Sequence, residues 1–236
     1  IFTHGANVLC CTPTYALRLA EVAKKEGIDL AKSPVRTIVV AGEPGGSIPA
    51  TLARLKQASP GVEVFDHHGM TEVGPVTYQC PAQTGVLHVL EEAYLPEIIH
   101  PESAEPVAAG ETGELVLTTL GRHGSPLIRY RTGDLVVAAV KSPCCCGSHE
   151  LALQGGILGR ADDMVVVRGV NIYPSSVEEI LHGTGGVAEY RVNISRNDAL
   201  VEMSVEVEPE DGDDGAMANP IAKAIKQYLK QRVPVK

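Results

Sequence analysis

No stretch of this 236-residue chain approaches the ~18 uninterrupted apolar residues of a membrane-spanning helix, which argues against an integral membrane protein. Basic charge is also scarce. Twenty Lys and Arg face 29 Asp and Glu, for a net charge of -9 with no basic stripe, so nucleic acid is not an expected partner. The first residue is Ile1 rather than Met, and no charged segment leads into an apolar one, so a secretory signal does not explain the start. The chain reads instead as cut from a longer one. Cysteines suited to a disulfide framework are missing too: the thiols fall at Cys10-Cys11, Cys80 and Cys144-Cys145-Cys146. Adjacent cysteines are poor partners for one another, and a chain this long does not need staples. A reducing, cytoplasmic compartment is expected, with some of the thiols available to a metal. There is no internal repeat. What remains is ordinary globular composition, 21% charged and 44% apolar, for one large domain or two unequal ones at roughly 100–200 residues each.

The first third reads as α/β. Asn7 to Cys11 is a strand candidate, followed by Thr12 as N-cap and Pro13 at the first helical position, where its missing N–H costs nothing. Ala16, Leu19, Ala20 and Ala23 recur at helical spacing up to Gly27. Val35 to Val40 is β-branched and apolar on both faces, as a buried parallel strand would be. It ends in Ala41-Gly42-Glu43-Pro44, after which Ser47 and Pro49 open a second helix. A strand at Val62 to Phe65 runs into Asp66-His67-His68-Gly69-Met70-Thr71-Glu72. The middle is β-rich, with strands at Glu114 to Leu120 and at Leu127 to Arg131, the latter ending in a Thr132-Gly133-Asp134 turn. Periodicity fails from Lys141 to Gly156. A new pattern then begins: a strand at Met164 to Val167, a Ser-x-x-Glu capping box at Ser175 to Glu178, and strands around an Asn197-Asp198 turn. The acidic stretch Glu206 to Asp214 reads as a solvated loop, and a last helix is capped by Asn219 and Pro220. The order βα-ββ-α suggests a small α+β domain from Gly159 onward.

Ligands of open α/β sheets bind at the carboxyl ends of the strands, where two of these loops lie. Ala41-Gly42-Glu43-Pro44 offers backbone amides and a flat peptide surface to a base or phosphate, or is an ordinary Gly/Pro turn. Gly69-Met70-Thr71-Glu72 sets a hydroxyl beside a carboxylate, a pair suited to Mg²⁺, which is usually held by one or two carboxylates plus phosphate oxygens. Asp134 suits either a ribose diol or a type I turn. Gly159-Arg160-Ala161-Asp162-Asp163-Met164 reads as a hinge or as a local ion pair.

Taken in order, these stretches resemble the adenylate-forming superfamily, and within it the phenylacetate–CoA ligases. Cys11-Thr12-Pro13-Thr14-Tyr15 is similar to the family's Thr-Pro-Ser-Tyr helix start, and Ala41-Gly42-Glu43-Pro44 to its adenine-flanking loop. His68-Gly69-Met70-Thr71-Glu72 is similar to its Tyr-Gly-Leu/Met-Ser/Thr-Glu loop, and Tyr130 to Leu135 to its ribose-binding stretch. Gly159 to Met164, continued by Arg168 to Pro174, is similar to its hinge and lid start. The resemblance implies an α/β fold: residues 1–158 as the C-terminal part of a large AMP-binding domain, a parallel α/β sheet plus a β-rich subdomain, and residues 159–236 as a truncated α+β lid. It further implies ATP-dependent activation of an aryl carboxylic acid to an acyl-adenylate, and transfer of the acyl group to CoA. In that scheme Glu72 holds Mg²⁺, and Thr71 meets the α-phosphate. Gly42, Glu43 and Pro44 flank adenine together with His68, Gly69 and Met70. Asp134 and Arg160 bind ribose, and Asp162 is the pivot of the small domain. His68 departs from the family's Tyr, so adenine packing is expected to differ there.

The resemblance also implies a structural zinc on Cys80, His88, Cys144 and Cys146, with Cys145 able to replace either neighbour. The alternative is a cysteine-rich loop beside a buried His88. His67, His100, His123, His149 and His182 read as surface residues. The expected partners are a small carboxylic acid, ATP and CoA, without nucleic acid or membrane, and a homodimer is compatible with this. The family's Gly/Ser/Thr-rich phosphate loop and its adenylation lysine have no counterpart in these residues. Little ligase activity is therefore expected of the chain by itself. An adenylyltransferase without CoA transfer and a non-catalytic nucleotide- or zinc-binding module are the competing readings.

Overall fold

The computed structural model describes residues 1–43, 45–163, 165–167, 170–184, 186–197, 200–209, 220–223 and 227. Its chain divides into two compact units, Ile1–Ala161 and Asp162–Lys236.

The first unit begins with three short strands, β1 (Val8–Cys11), β2 (Thr37–Val40) and β3 (Glu63–Asp66), paired in parallel in the order β1-β2-β3. Helix α1 (Pro13–Lys25) follows β1, and helix α2 (Pro49–Ala58) joins β2 to β3. The Thr12 hydroxyl accepts the Tyr15 N–H at 3.2 Å, and Pro13 takes the first helical position, so α1 starts as its sequence dictates. Ile38, Val40, Leu52, Leu55 and Val64 form the buried apolar layer between this sheet and its helices. Ser47 plays a different part from the one its sequence suggests. Ile48 is the N-cap of α2 and provides no side-chain cap, while the Ser47 hydroxyl turns away and donates to Asp66.

The rest of the first unit is antiparallel. Strands β4 (Gly69–Met70) and β5 (Gly74–Pro75) form a tight hairpin. Strands β6 (Thr77–Gln79), β7 (Val86–Val89) and later β11 (Ala152–Gln154) make a sheet in the order β11-β7-β6. A fourth sheet has the order β12-β10-β9-β8, from β8 (Tyr94–Ile99), β9 (Thr112–Thr119), β10 (Tyr130–Val137) and β12 (Gly159–Arg160). Val76, Leu87, Val89, Leu115, Leu117, Val136 and Leu153, all fully or nearly fully buried, form the core shared by these last two sheets.

Thr132-Gly133-Asp134 does not end a strand. It is a bulge within β10, where the register against β9 shifts between Arg131 and Leu135. The junction read from the sequence lies at 158/159. Here β12 pairs with β10, Asp134 opposite Arg160 and Leu135 opposite Gly159, which ties these two residues to the first unit.

In the second unit β13 (Val165–Val167) and β14 (Val170–Ile172) pair as a hairpin where one strand is expected. Helix α3 (Pro174–Thr184) follows, starting at Pro174, so Ser175 lies inside the helix and not at its cap. Strands β15 (Val187–Asn197) and β16 (Leu200–Pro209) form a long antiparallel hairpin. Met203, Val205 and Val207 are half-buried against Ile172, Val177, Leu181 and Val187, while Ser204, Glu206 and Glu208 face solvent. That alternation carries Glu206 to Pro209 as strand where the sequence suggests an acidic loop. Residues 220–223 are helical; Asn219 and the rest of the acidic stretch lie outside the described residues. Among the described residues no helix is long and apolar enough to cross a membrane.

Candidate nucleotide pocket and thiol cluster

The loops after β2 and β3 and the bulge of β10 converge on a cavity of about 240 Å³, whose lining includes Gly42, Glu43, Asp66, His68, Gly69, Met70, Asp134 and Arg160. Asp134 sits on the bulge, where its carboxylate is 8% exposed. Its Oδ2 lies 2.9 Å from His68 Nε2, and its Oδ1 lies 3.5 Å from Arg160 Nη1. The Arg160 guanidinium packs over Gly133, where a Cβ would come within 2.8 Å of Nη2, and Gly133 has φ +78°. Both facts demand glycine: an L side chain there would be strained and would push the cation off.

The bulge itself is held from within the sheet. Glu114 is 3% exposed, and its Oε1 accepts the Gly133 N–H at 3.1 Å. Its Oε2 accepts Nε and Nη2 of Arg131, and that carboxylate raises the affinity of Arg131 for its proton. The Thr132 hydroxyl donates to the Leu115 carbonyl at 2.8 Å and accepts the Asp134 N–H at 3.0 Å. Glu114 was not a candidate from the sequence. The only signal available was an acidic residue at a buried strand position, which burial requires to be paired.

On the opposite wall Asp66 is largely buried, and desolvation pushes its carboxyl above the usual carboxylate range. The Ser47 hydroxyl, the His67 N–H and the two neighbouring imidazoles act in the other direction. Gly46 allows this approach, since a Cβ there would overlap the Asp66 carboxyl group. His67 is no surface residue. Its Nδ1 lies 2.7 Å from the Thr77 carbonyl oxygen. His182 is likewise mostly covered, 4.0 Å from Glu178 and edge-on to Tyr190.

The carboxylate of Glu43, expected beside adenine, is occupied at the start of α1: its Oε1 accepts the Thr14 N–H at 2.6 Å. A carboxylate at a helix N-terminus is favourably placed, and this bond fixes the loop that Gly42 and Glu43 contribute to the cavity. Pro44 lies outside the described residues. Thr71 and Glu72 are exposed on the β4–β5 hairpin tip and do not line the cavity, although Gly69 and Met70 do. The Glu72 carbonyl accepts from Arg122 Nη1 at 2.6 Å, which pins the hairpin to the loop after β9. Asp162 is exposed and is the first residue of the second unit.

A second cluster lies at the far end of the β11-β7-β6 sheet. The pairing of β6 with β7 sets Tyr78 opposite His88, and Cys80 N donates to the Val86 carbonyl, so eight residues of chain fold Cys80 and His88 together. Cys144 to Ser148 form a turn closed by Cys144 N to the Ser148 carbonyl at 2.9 Å and Gly147 N to the Cys144 carbonyl at 2.8 Å. Donor atoms of Cys80, His88, Cys144 and Cys146 all lie within 4.8 Å of one another. The Cys80–Cys144 sulfur separation is 3.7 Å, and Cys146 Sγ is 3.3 Å from His88 Nε2. Two sulfurs on a tetrahedral zinc with ~2.3 Å bonds lie about 3.8 Å apart, so three thiols and one imidazole at these separations fit that ion. His88 is fully buried and its Nδ1 has no hydrogen-bond partner. The Cys146 backbone N–H and the neighbouring thiols bring the Cys144 thiol down to about 6, toward the thiolate a metal requires. Cys145 stands outside this set of four; it is exposed, and its sulfur lies 3.7 Å from Gln83 Oε1 and 3.9 Å from Cys144 Sγ.

Comparison with known proteins bears on what these clusters belong to. Residues 1–121 match the family described as AMP-binding enzyme, and residues 169–236 match the AMP-binding enzyme C-terminal domain. The chain belongs to the AMP-binding enzyme family. Within it the chain is an adenylate-forming member of the phenylacetate–CoA ligase type. It is 37% identical to a phenylacetate-coenzyme A ligase of Thermus thermophilus over 207 residues, covering 86% of this chain and 45% of that protein. It is 34% identical to the protein of the same name from Escherichia coli over 208 residues, with 86% and 45% covered. It therefore spans about half the length of the curated relatives it matches. A crystal structure of a 2-hydroxyisobutyryl-CoA ligase with a bound acyl-AMP is 30% identical and superposes with a TM-score of 0.86, covering 99% of this chain and 51% of that one. An anthranilate CoA ligase, 21% identical with a TM-score of 0.69 over 97% of this chain and 45% of the other, shares the fold.

Proposed function

We propose that this chain supplies the nucleotide-holding part of an enzyme that activates an aryl, phenylacetate-like carboxylic acid with ATP and passes the acyl group to CoA. In the first step a carboxylate oxygen attacks the α-phosphorus of ATP, and the bond to pyrophosphate breaks. In the second the CoA thiol sulfur attacks the acyl carbonyl carbon, its proton is lost, and AMP leaves. The observation that carries this reading is the buried Asp134 carboxylate, aimed into a cavity by the β10 bulge and fixed by two cationic or N–H donors. An acceptor-only group held in this way suits a vicinal diol, with both hydroxyls donating.

The remaining roles are those the family resemblance implies, and the cavity lining supports some of them. Gly42, Glu43, Gly69 and Met70 border the space for adenine, Arg160 shares the ribose carboxylate, and Thr71 on the hairpin tip meets the α-phosphate. Glu72, a single exposed carboxylate next to that hydroxyl, would hold Mg²⁺, which offsets charge on phosphate oxygens during adenylation. Asp162, at the first position of the second unit, serves as the pivot of a small domain. Zinc on Cys80, His88, Cys144 and Cys146 would be structural, because four protein donors leave no open coordination position.

Calorimetric titration with AMP tests the central assignment. Asp134→Ala is expected to weaken binding about a hundredfold, since two hydrogen bonds to a charged acceptor are lost. Equal affinity in the two proteins would overturn the ribose assignment. Acid-dependent release of pyrophosphate by the complete enzyme, measured over a panel of aryl and short hydroxy acids, identifies the substrate. Consumption of the adenylate only in the presence of CoA separates a ligase from an adenylyltransferase.

A further inference from the structure

His68 is the one residue of the cavity whose side chain bridges the β3 loop to the β10 bulge by a direct hydrogen bond among the described residues. Its backbone is locked first. The His68 N–H donates to Thr77 Oγ1 at 2.9 Å, and its carbonyl accepts N–H groups from Val76 at 2.9 Å and Thr77 at 3.1 Å. The ring is then delivered to Asp134 with Nε2 2.9 Å from Oδ2, the two side chains being 12% and 8% exposed.

The chemistry of the partners assigns the proton. An ionised carboxylate only accepts, so Nε2 carries the hydrogen. Nδ1 is buried with no partner, and a bare lone pair there costs less than an unpaired N–H. The imidazole therefore acts as a fixed donor through Nε2. Each oxygen of Asp134 retains one lone-pair direction after His68 takes one on Oδ2 and Arg160 faces Oδ1. Asp134 lines the cavity, so acceptor capacity remains for a ligand there. A carboxylate free to rotate would have to be ordered by its ligand at a cost in affinity, and one already held is not.

We infer that His68 is a positioning residue for ribose recognition: it sets the plane of the Asp134 carboxylate so that the 2′- and 3′-hydroxyls of an adenine nucleotide meet both oxygens together. This rests on the reading of Asp134 as the ribose acceptor, and it adds a selectivity that the reading does not contain.

The test compares AMP with 2′,3′-dideoxy-AMP by calorimetry on the unaltered chain, His68→Phe, His68→Gln and Asp134→Ala, with a thermal melt of each. The unaltered chain is expected to prefer AMP at least tenfold. His68→Phe should reduce that preference about tenfold, as loss of one hydrogen bond to a charged group predicts. His68→Gln, which restores an N–H donor, should recover part of the preference. If His68→Phe melts early, the Gln variant carries the test against His68→Asn, whose shorter side chain does not carry an N–H donor as far as Nε2. A preference in His68→Gln no greater than in a folded His68→Asn overturns the inference. Full retention of the preference in His68→Phe also overturns it, as does equal loss for both nucleotides. If Asp134→Ala abolishes the preference while His68→Phe keeps it, His68 has no such role and the ribose site stands. If the unaltered chain does not distinguish the two nucleotides, the ribose site itself falls.

Discussion

The nucleotide cavity and the thiol cluster solve the problem of buried polar groups in opposite ways. Around Asp134 the charged and hydroxyl groups have partners of complementary kind, carboxylate with imidazole and guanidinium, Glu114 with a backbone N–H and Arg131, Thr132 with a carbonyl, and His68 Nδ1 is the buried atom left without one. At the other end of the first unit Cys80, His88, Cys144 and Cys146 present donor atoms to one another, and His88 Nδ1 is left over. A network whose charged groups are paired within the protein can be rigid before any ligand arrives. A cluster of four soft donors gains its stability from a shared cation, because ligand formation and folding are then one equilibrium. On the proposed reading the first arrangement serves recognition and the second holds strands together.

Metal removal should produce the largest effect. Elemental analysis of purified protein is expected to return one zinc per chain, and a strong chelator should lower the melting temperature by about 10 °C or more. Cys80→Ser should reproduce that loss, while Cys145→Ser, outside the cluster, should not. Protein without zinc, in which Cys80→Ser melts like the unaltered chain, would erase the contrast between the two regions.

A smaller loss is expected when the cavity is attacked from behind. Glu114→Ala removes the acceptor for Gly133 N–H and leaves the bulge of β10 unanchored. A drop of about 5 °C is expected from loss of a buried charged acceptor, together with weaker AMP binding although Glu114 does not line the cavity. If stability falls and AMP affinity does not, Asp134 is positioned by its direct partners alone.

How much of this was legible in the sequence follows from where each signal lies. Thr12 with Pro13, the β-branched run at 35–40 and the alternation of Val201, Met203 and Val205 are local patterns, and each gave its element in the structure. Thr132-Gly133-Asp134 misled because glycine with a flanking hydroxyl and carboxylate reads equally as a turn or a bulge. Only the partner strand, with Glu114 opposite Leu135, decides between them. Ser47 misled for the same reason: it reads with Pro49 as opening a helix, but the helix begins at Pro49 and Asp66, nineteen residues from Ser47, takes its hydroxyl. The His68–Asp134 bond spans 66 residues and has no local signature. The metal-donor set was proposed from family resemblance, and the β6–β7 register supplies the physical reason that Cys80 and His88 meet. The exclusion of Cys145 needed the turn at 144–148, since three consecutive thiols look alike in sequence.

The smallest expected effect is one of sign, and it separates the two regions by pH alone. Burial pushes the Asp66 carboxyl above its ordinary value, so the folded state holds this proton more firmly than the unfolded state does. The stabilisation from that proton is complete below the ordinary carboxylate value and is lost as pH rises through the raised one. The thiol cluster runs the other way, because its ligands must shed protons to bind a metal, so its contribution shrinks as pH falls. Urea unfolding of metal-free protein should therefore show the unaltered chain gaining on Asp66→Asn as pH is lowered through that window. Metal-loaded protein should lose its advantage over metal-free protein across the same change. Parallel curves for the unaltered chain and Asp66→Asn would mean that Ser47 and the His67 N–H stabilise the carboxylate as fully as burial penalises it. The cavity would then be electrostatically neutral toward folding, and its buried acid would be kept for what it contacts and not for stability.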